Sequence, residues 1–174
     1  MPIIPDKIDR FNMYIDIVDS KHKIAVTSEI TLPTFEYASE TLNLSGMAGE
    51  VDSPSPGQIK STQIEIPFST ISKEGLELAR KDNSILILKA AQETINTNAL
   101  TRAHTGRTIT IKGFTKEVNY GKLVKGGLGN ASIKKEIIYY KDQLGDDVLT
   151  EADKFNGIYK INGEDVVSNI EELI

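Results

Sequence analysis

Alternating apolar and polar residues recur along the chain and predict short β-strands. The clearest pattern has apolar side chains at every second position from Phe11 to Ile17, a polar turn at 19–22, and a second alternating run from Ile24 to Leu32. Because successive side chains of a strand point to opposite faces, each run is typical of a strand with one buried face. This part of the chain is predicted to form two antiparallel strands joined by a short turn.

Further strand patterns occupy the rest of the chain. Ser84–Ala91 contains four consecutive apolar residues, Ile85–Leu88, and such a run predicts burial on both faces. The alternation of Ile109 and Ile111 changes parity after Gly113, which predicts a β-bulge at the glycine. The remaining strands are predicted at Ile64–Phe68, Ile133–Tyr140 and Tyr159–Ile161.

Two short helices are predicted. Ser72 can cap the first helix, Glu74 and Arg80 suit its first and last turns, and Asn83 can close it. Apolar residues at helical spacing from Val166 to Ile174 predict a second helix. Together with about six to eight strands, these features predict a mainly β fold. The expected architecture is an antiparallel β-barrel or sandwich with one flanking helix and a short C-terminal helix.

The stretch from Leu32 to Ile59 is too long for an ordinary connection in a compact domain. Its first half, Phe35–Leu44, alternates like a hairpin arm that packs on a neighbour. Its second half, Gly46–Gly57, has the glycines and prolines of a turn-rich, pliant return. We expect a single domain over residues 1–174 with an extended β-hairpin arm protruding at about 33–58.

The composition excludes several kinds of site. The 174 residues include no cysteine, so disulfides, thiolate metal sites and cysteine nucleophiles are absent. His22 and His104 have no second ligand at a suitable spacing, and we expect both to be solvated loop residues with no metal and no cofactor. A net charge of −5, with acids and bases spread along the chain, argues against nucleic-acid binding as the main activity.

No run of the sequence approaches the roughly 20 apolar residues of a membrane-spanning helix. Residues Met1–Asp6 lack the basic start and apolar core of a signal peptide. We therefore expect no membrane anchor and synthesis in the cytoplasm.

Motifs for catalysis are weak. The glycine-rich Lys125–Asn130 is followed by a strand-like stretch and not by the helix that a phosphate loop needs, which favours a flexible inter-strand loop. The acids at Asp146, Asp147, Glu151 and Asp153 do not have calcium-loop spacing and favour a solvated acidic loop. No Gly-x-Ser-x-Gly elbow and no distinctive carboxylate pair is present, so we expect no enzyme.

Several motifs in a particular order resemble the major tail tube proteins of contractile phage tails and phage-tail-like bacteriocins. More distantly, the chain resembles the ring-forming inner-tube protein of type VI secretion systems. The similar stretches cover nearly the whole chain from about Met13 onward. They are Glu29–Pro33, Leu44–Val51, Arg107–Gly113, Ile137–Lys141 and Ile161–Val167 followed by the terminal helix.

The resemblance implies a structural subunit that self-assembles. Six copies would close into a ring, and rings would stack into a hollow tube that is driven through a target envelope when a surrounding sheath contracts. Implied partners are further copies of the chain, the sheath protein, and baseplate and terminator proteins. The subunit would be made in the bacterial cytoplasm, and DNA would pass through the lumen without specific binding. The net charge of −5 favours an acidic lumen that repels phosphate.

An apolar arm that cannot be stable alone needs a neighbour to cover it, and this marks it as an interface. Heterologous contacts of that kind close rings and extend filaments. The rival hypothesis is a monomeric lectin-like or adhesin-like β-sandwich that binds a ligand with the arm and Tyr120, Tyr139 or Tyr140. The predicted inter-ring and inter-subunit contact residues are Phe35, Tyr37, Leu42, Leu44, Met47 and Val51.

Overall fold

The structure is a computed structural model that describes residues 3–17, 20–82 and 84–167. Eleven strands and one helix occupy these residues, more strands than the sequence predicts. They are β1 (Ile3–Ile17), β2 (Ser20–Ile24), β3 (Tyr37–Leu42), β4 (Val51–Ile59), β5 (Gln63–Phe68), α1 (Lys73–Arg80), β6 (Ile85–Asn96), β7 (Thr101–Asn119), β8 (Ala131–Leu144), β9 (Asp147–Asp153), β10 (Ile158–Ile161) and β11 (Glu164–Asp165).

The fold is mainly β and antiparallel, as predicted. Nine strands form one sheet in the order β11-β10-β9-β8-β7-β6-β1-β2, with β5 attached to β8, while β3 and β4 form a separate two-stranded ribbon. Both β5 and β9 pair with β8 along the edge that β7 leaves free, β5 at Ala131–Glu136 and β9 at Tyr139–Leu144. No ladder between the described residues joins β2 to β11, so the sheet remains open and resembles a sandwich more than a closed barrel.

One face of this sheet carries the core. Met13 and Ile15 of β1 pair in register with Leu88 and Leu86 of β6, and all four side chains are buried. Ile85 and Ile87 lie on the other face and are only partly buried. The prediction of burial on both faces of this run is therefore wrong for the isolated chain, because only one face of β6 meets the core.

The predicted bulge at Gly113 is confirmed. The β7–β8 register shifts between Lys112 and Gly113. A Cβ atom added to Gly113 would lie 1.8 Å from the Glu136 carbonyl oxygen, so only glycine permits this approach of the two backbones. The register shift allows β7 and β8 to bend. Such a bend suits β8, whose two halves pair with different strands, β5 and β9.

The helix begins where the sequence predicts. Ser72 is its N-cap, with Oγ accepting a hydrogen bond from the Gly75 N–H at 3.1 Å. The C-cap is Lys81, and Asn83, the predicted closing residue, lies outside the described residues. The buried Lys135 fastens the helix end to the sheet, since its Nζ donates to the Leu78 carbonyl oxygen at 3.0 Å. Burial lowers the pKa of Lys135 to about 8.

Two predictions about strands are wrong. The second strand ends at Ile24, and the alternating residues beyond it form an irregular strap whose apolar side chains, Val26, Ile30 and Leu32, pack against the core. The acidic stretch predicted as a loop contains strand β9, because Asp147–Asp153 pairs with β8 across a turn at Gly145. The predicted C-terminal helix falls largely on residues 168–174, which lie outside the described residues.

Candidate assembly surface

The ribbon of β3 and β4 is the arm that the sequence predicts. Its strands pair antiparallel from Tyr37 opposite Ile59 to Leu42 opposite Val51. Six strand residues give the ribbon a length of about 20 Å. We call residues 42–51 the tip and residues 35–37 together with 59–62 the foot.

The tip presents apolar side chains to solvent. The fractional exposures are 41% for Leu42, 61% for Leu44, 41% for Met47 and 50% for Val51. Leu42 and Val51 are directly opposed across the ladder, and a turn closed by the Met47 N–H and the Leu44 carbonyl oxygen brings the other two beside them. Single exposed apolar residues are ordinary, but a cluster at the end of a projecting ribbon marks an interaction surface.

The arm is also acidic. Residues 37–59 contain Glu40, Glu50 and Asp52 and no lysine or arginine. Glu50 accepts a hydrogen bond from Asn43 Nδ2 at 3.3 Å and Asp52 accepts one from Thr41 Oγ1 at 2.7 Å. Both donors are neutral, so neither hydrogen bond brings a positive charge to these acidic side chains. The tip therefore combines an apolar cluster with uncompensated negative charge.

The foot packs on the body through aromatic rings. Phe35 meets Tyr140 edge-on with ring centroids 5.1 Å apart, and Tyr37 meets Tyr159 with centroids 5.8 Å apart. Tyr140 and Tyr159 are themselves buried, and burial raises the pKa of Tyr159 to about 12. The foot is therefore an extension of the core.

A polar cluster at Glu136 holds the other strand of the foot. Its carboxylate accepts hydrogen bonds from Ser61 Oγ at 2.8 Å, the Thr62 N–H at 3.1 Å and Lys116 Nζ at 3.4 Å. Lys154 bridges the same carboxylate and the carbonyl oxygen of Lys60. Partial burial opposes ionisation, but these donors lower the pKa of Glu136 below its ordinary value. The chain leaving the arm is thus fixed by charge-assisted hydrogen bonds.

The second half of the arm is a strand and not the predicted pliant return. Pro54 and Pro56 lie within β4, where a two-stranded ribbon tolerates them because each strand has an open edge. Gly57 has φ +90° and packs so closely on Val167 that an added Cβ would lie 1.9 Å from a Val167 side-chain carbon. The glycine and prolines shape a defined ribbon close to the body.

Of the six predicted contact residues, the structure brings four together at the tip and sets two apart. Leu42, Leu44, Met47 and Val51 share the exposed end of the ribbon. The rings of Phe35 and Tyr37 are occupied by contacts within the chain. Contact between subunits through the tip stays a prediction. Phe35 and Tyr37 instead orient the arm through their contacts with the body.

A second exposed apolar surface lies outside the six predicted contact residues. The glycine-rich loop 120–130 carries Tyr120, Leu123, Val124 and Leu128, which are all exposed. The loop is tied down at its base, where the Gly129 N–H donates to the Ser69 carbonyl oxygen at 2.8 Å. Apolar residues interspersed among its glycines were a signal for such a surface.

The prediction that both histidines lie in loops is wrong, because each lies in a strand. His104 lies in β7, and its Nε2 is 2.5 Å from Asp9 Oδ2 of β1. The hydrogen bond from His104 lowers the pKa of the Asp9 carboxyl group. His22 lies in β2. Within the described residues no three or more histidine, aspartate or glutamate side chains converge as metal ligands.

The described helix is too short and too polar to be a membrane-spanning candidate.

Tyr139 and Tyr140 point to opposite sides of β8, as predicted. Tyr140 is buried in the core, whereas the Tyr139 hydroxyl donates to Glu151 on the other face at 2.9 Å. On that face Lys112 Nζ lies over the Tyr139 ring, 5.2 Å from its centroid.

Comparison with known proteins identifies the family. The profile of the phage tail tube protein FII family matches residues 5–174. The chain belongs to the phage tail tube protein FII family. By its description this family belongs to phage tails, and a structural role in a tail follows for this chain. No curated protein matches the sequence.

One solved structure supports the fold, and a second is reported for its similarity alone. A chain from the cryo-EM structure of an extracellular contractile injection system, the PVC sheath/tube terminator in its extended state, superposes with a TM-score of 0.51 at 12% identity. The superposition covers 80% of this chain and 97% of that chain. A chain from the 6-fold symmetrised anti-feeding prophage baseplate has a TM-score of 0.49 at 14% identity, covering 81% and 95% of the two chains.

Proposed function

We propose that this tail tube family member is the repeating subunit of the inner tube of a contractile injection particle. Copies form hexameric rings, and the rings stack into a hollow conduit that is driven through the target envelope when the sheath contracts. The role is structural and involves no catalysis. The observation that carries the proposal is the family match over residues 5–174.

The geometry supports self-assembly in two ways. The main sheet is open, with β2 at one end and β11 at the other, and unpaired strand edges are ready to join another chain. The arm projects an apolar tip that the described part of its own chain leaves exposed. Two such non-identical contacts are what a closed ring and a stack of rings require.

The expected partners follow from the same role. Copies of the chain surround the lumen, the sheath surrounds the tube, and baseplate and terminator proteins meet its two ends. The likeness to the terminator chain supports a shared fold only. An acidic lumen through which DNA passes without specific binding remains part of the proposal.

The test is the assembly state of the purified protein. Size-exclusion chromatography followed by negative-stain microscopy is expected to show six-membered rings or stacked tubes of uniform diameter. A protein that stays monomeric at high concentration, with sheath and baseplate proteins present, would overturn the proposal. A monomer that instead binds glycans would favour the rival lectin-like or adhesin-like function.

A further inference from the structure

A groove follows the open edge of β1. Strand β2 pairs with β1 only at residues 13–17, so within the described chain the outer edge of β1 lacks a neighbouring strand at residues 8–12. Beside it lies a surface groove of about 730 Å³ between residues 8–13 and residues 23–28. The groove exposes the backbone of an edge strand, which is a common docking site for another chain.

The groove continues into an apolar pit. The pit measures about 120 Å³ and lies on the core face beneath the strap. An engineered apolar cavity of about 150 Å³ holds benzene, so the pit has the size of one leucine or methionine side chain. Ile8, at its mouth, is 43% exposed. The lining side chains are Ile8, Phe11, Ile30, Leu32, Leu88, Ala90, Arg107 and Ile109.

The charges beside the groove complement those of the arm tip. Arg10 and Lys23 line the groove and are exposed, and neither forms an ion pair with another described residue. The one acid of the groove, Asp9, is already bound by His104. Arg107 in the pit is paired with Asp142 at 2.6 Å, so the free positive charge belongs to the two exposed cations.

A second groove of similar size does not suit the tip. It lies between the strap and the free edge of β5 and has a similar volume of about 730 Å³. Its lining holds Glu29, Glu36 and Glu65 against the single cation Lys60, which already contacts Glu36 at 3.6 Å. Acidic side chains of the arm would be repelled there.

The apolar loop 120–130 is not a suitable receptor either. Leu123, at the end of this loop, is fully exposed. The loop therefore projects outward, whereas a receptor for a ribbon tip must be concave. Leu128 of this loop is therefore the control position for cross-linking.

We propose that the arm tip of one copy docks in the β1 groove of another copy. An apolar side chain of the tip fills the pit at Ile8, and Glu50 and Asp52 face Arg10 and Lys23. Tip and groove are different surfaces of one chain, so the contact is heterologous and propagates from copy to copy. This inference rests on the proposed function and specifies where its arm contact is made.

The first test uses cross-linking, which the cysteine-free sequence allows without background. The double variant Met47→Cys/Ile8→Cys is assembled into tubes and treated with a short bis-maleimide. Denaturing gels are expected to show a ladder of linked chains at least tenfold stronger than in the matched variant Met47→Cys/Leu128→Cys. An equal or stronger ladder from the Leu128 control would overturn the docking site.

The second test exchanges charges. Glu50→Lys/Asp52→Lys is expected to reduce the sedimentable tube fraction at least tenfold at low salt, and adding Arg10→Glu/Lys23→Glu is expected to restore it to within threefold of the original. Asp146→Lys, an exposed charge change in the turn between β8 and β9, should leave assembly unchanged. Failure of the reciprocal exchange to restore tubes, with all variants folded by circular dichroism, would overturn the assigned partners.

The outcomes separate this inference from the proposed function. If the unaltered chain forms tubes but neither test gives the expected result, the docking site is wrong and the tube function stands. If the unaltered chain forms no tubes under any condition, the function and the docking site are both wrong.

Discussion

The foot and the tip of the arm belong to one hairpin but differ in what surrounds them. At the foot, Phe35 and Tyr37 pack on buried tyrosines, and Glu136 collects donors from three segments of the chain. At the tip, Leu44 and Val51 are at least half exposed, and Glu50 forms a hydrogen bond with Asn43 but no ion pair with another described residue. The contrast indicates that the chain fixes where the arm points and leaves its end for a partner.

Removal of the tip should have the largest effect on assembly. Replacing residues 43–50 with Asn-Gly, a favoured two-residue turn, keeps the ladder and the foot intact. We expect a folded monomer and no tubes by negative-stain microscopy, because the exposed cluster contributes only to contacts between copies. The melting temperature should remain close to that of the full chain. Long tubes from this variant would show that the tip is dispensable.

Deleting residues 36–57, the greater part of the arm, would also remove Tyr37 and uncover the buried Tyr159. Deletion of the tip alone separates the loss of contact from the loss of packing.

Substitutions at the foot should affect stability far more than those at the tip. Phe35→Ala removes a partly buried ring with two aromatic neighbours and is expected to cost about 2 kcal/mol, below the range for a fully buried phenylalanine. Leu44→Ala, its matched control at the tip, should change stability by less than about 0.5 kcal/mol. Urea unfolding monitored by circular dichroism measures both. Equal losses would remove the distinction between foot and tip.

Gly57→Ala tests whether the direction of the arm is fixed by backbone geometry. The residue has positive φ, and the new methyl group would overlap Val167. We expect a loss of about 1–2 kcal/mol from strain at this position. Gly46→Ala is the control, since it has φ +95° but nothing lies within 4 Å of an added Cβ. A loss at Gly57 no larger than at Gly46 would show that contact with Val167 does not matter.

Glu136→Gln should give the smallest effect, and that effect should depend on pH. The folded-state pKa of Glu136 is lowered, so its ionised form stabilises the fold above the unfolded-state pKa of about 4.3. That stabilisation is lost as the pH falls through the folded-state value. Urea midpoints should therefore differ between the variant and the original chain at pH 7 and converge once the pH falls below the lowered folded-state pKa. A constant difference across this range would assign the effect to packing.

Local patterns predicted the features that depend on nearby residues. The parity change at Gly113, the Ser72 cap and the hairpin beginning at Tyr37 each follow from the chemistry of a short segment. Predictions failed where distant contacts decide. Residues 25–32 alternate like a strand but form no ladder with other described residues, while Asp147–Asp153 looks like an acidic loop and is held as a strand by β8.

The candidate site divides in the same way. The exposed tip could be predicted because its apolar residues sit beside turn-forming glycines. The role of Phe35 and Tyr37 could not, because their partners Tyr140 and Tyr159 are more than a hundred residues away in sequence. The groove along β1 was also beyond sequence reasoning, since it exists only because β2 ends early.

A cryo-EM map of the assembled protein tests the central claim most directly, because it shows what surrounds the arm tip. The account predicts six copies per ring and density for residues 42–51 seated against another copy. Rings or tubes in which every tip projects into solvent, or a particle without ring symmetry, would contradict it.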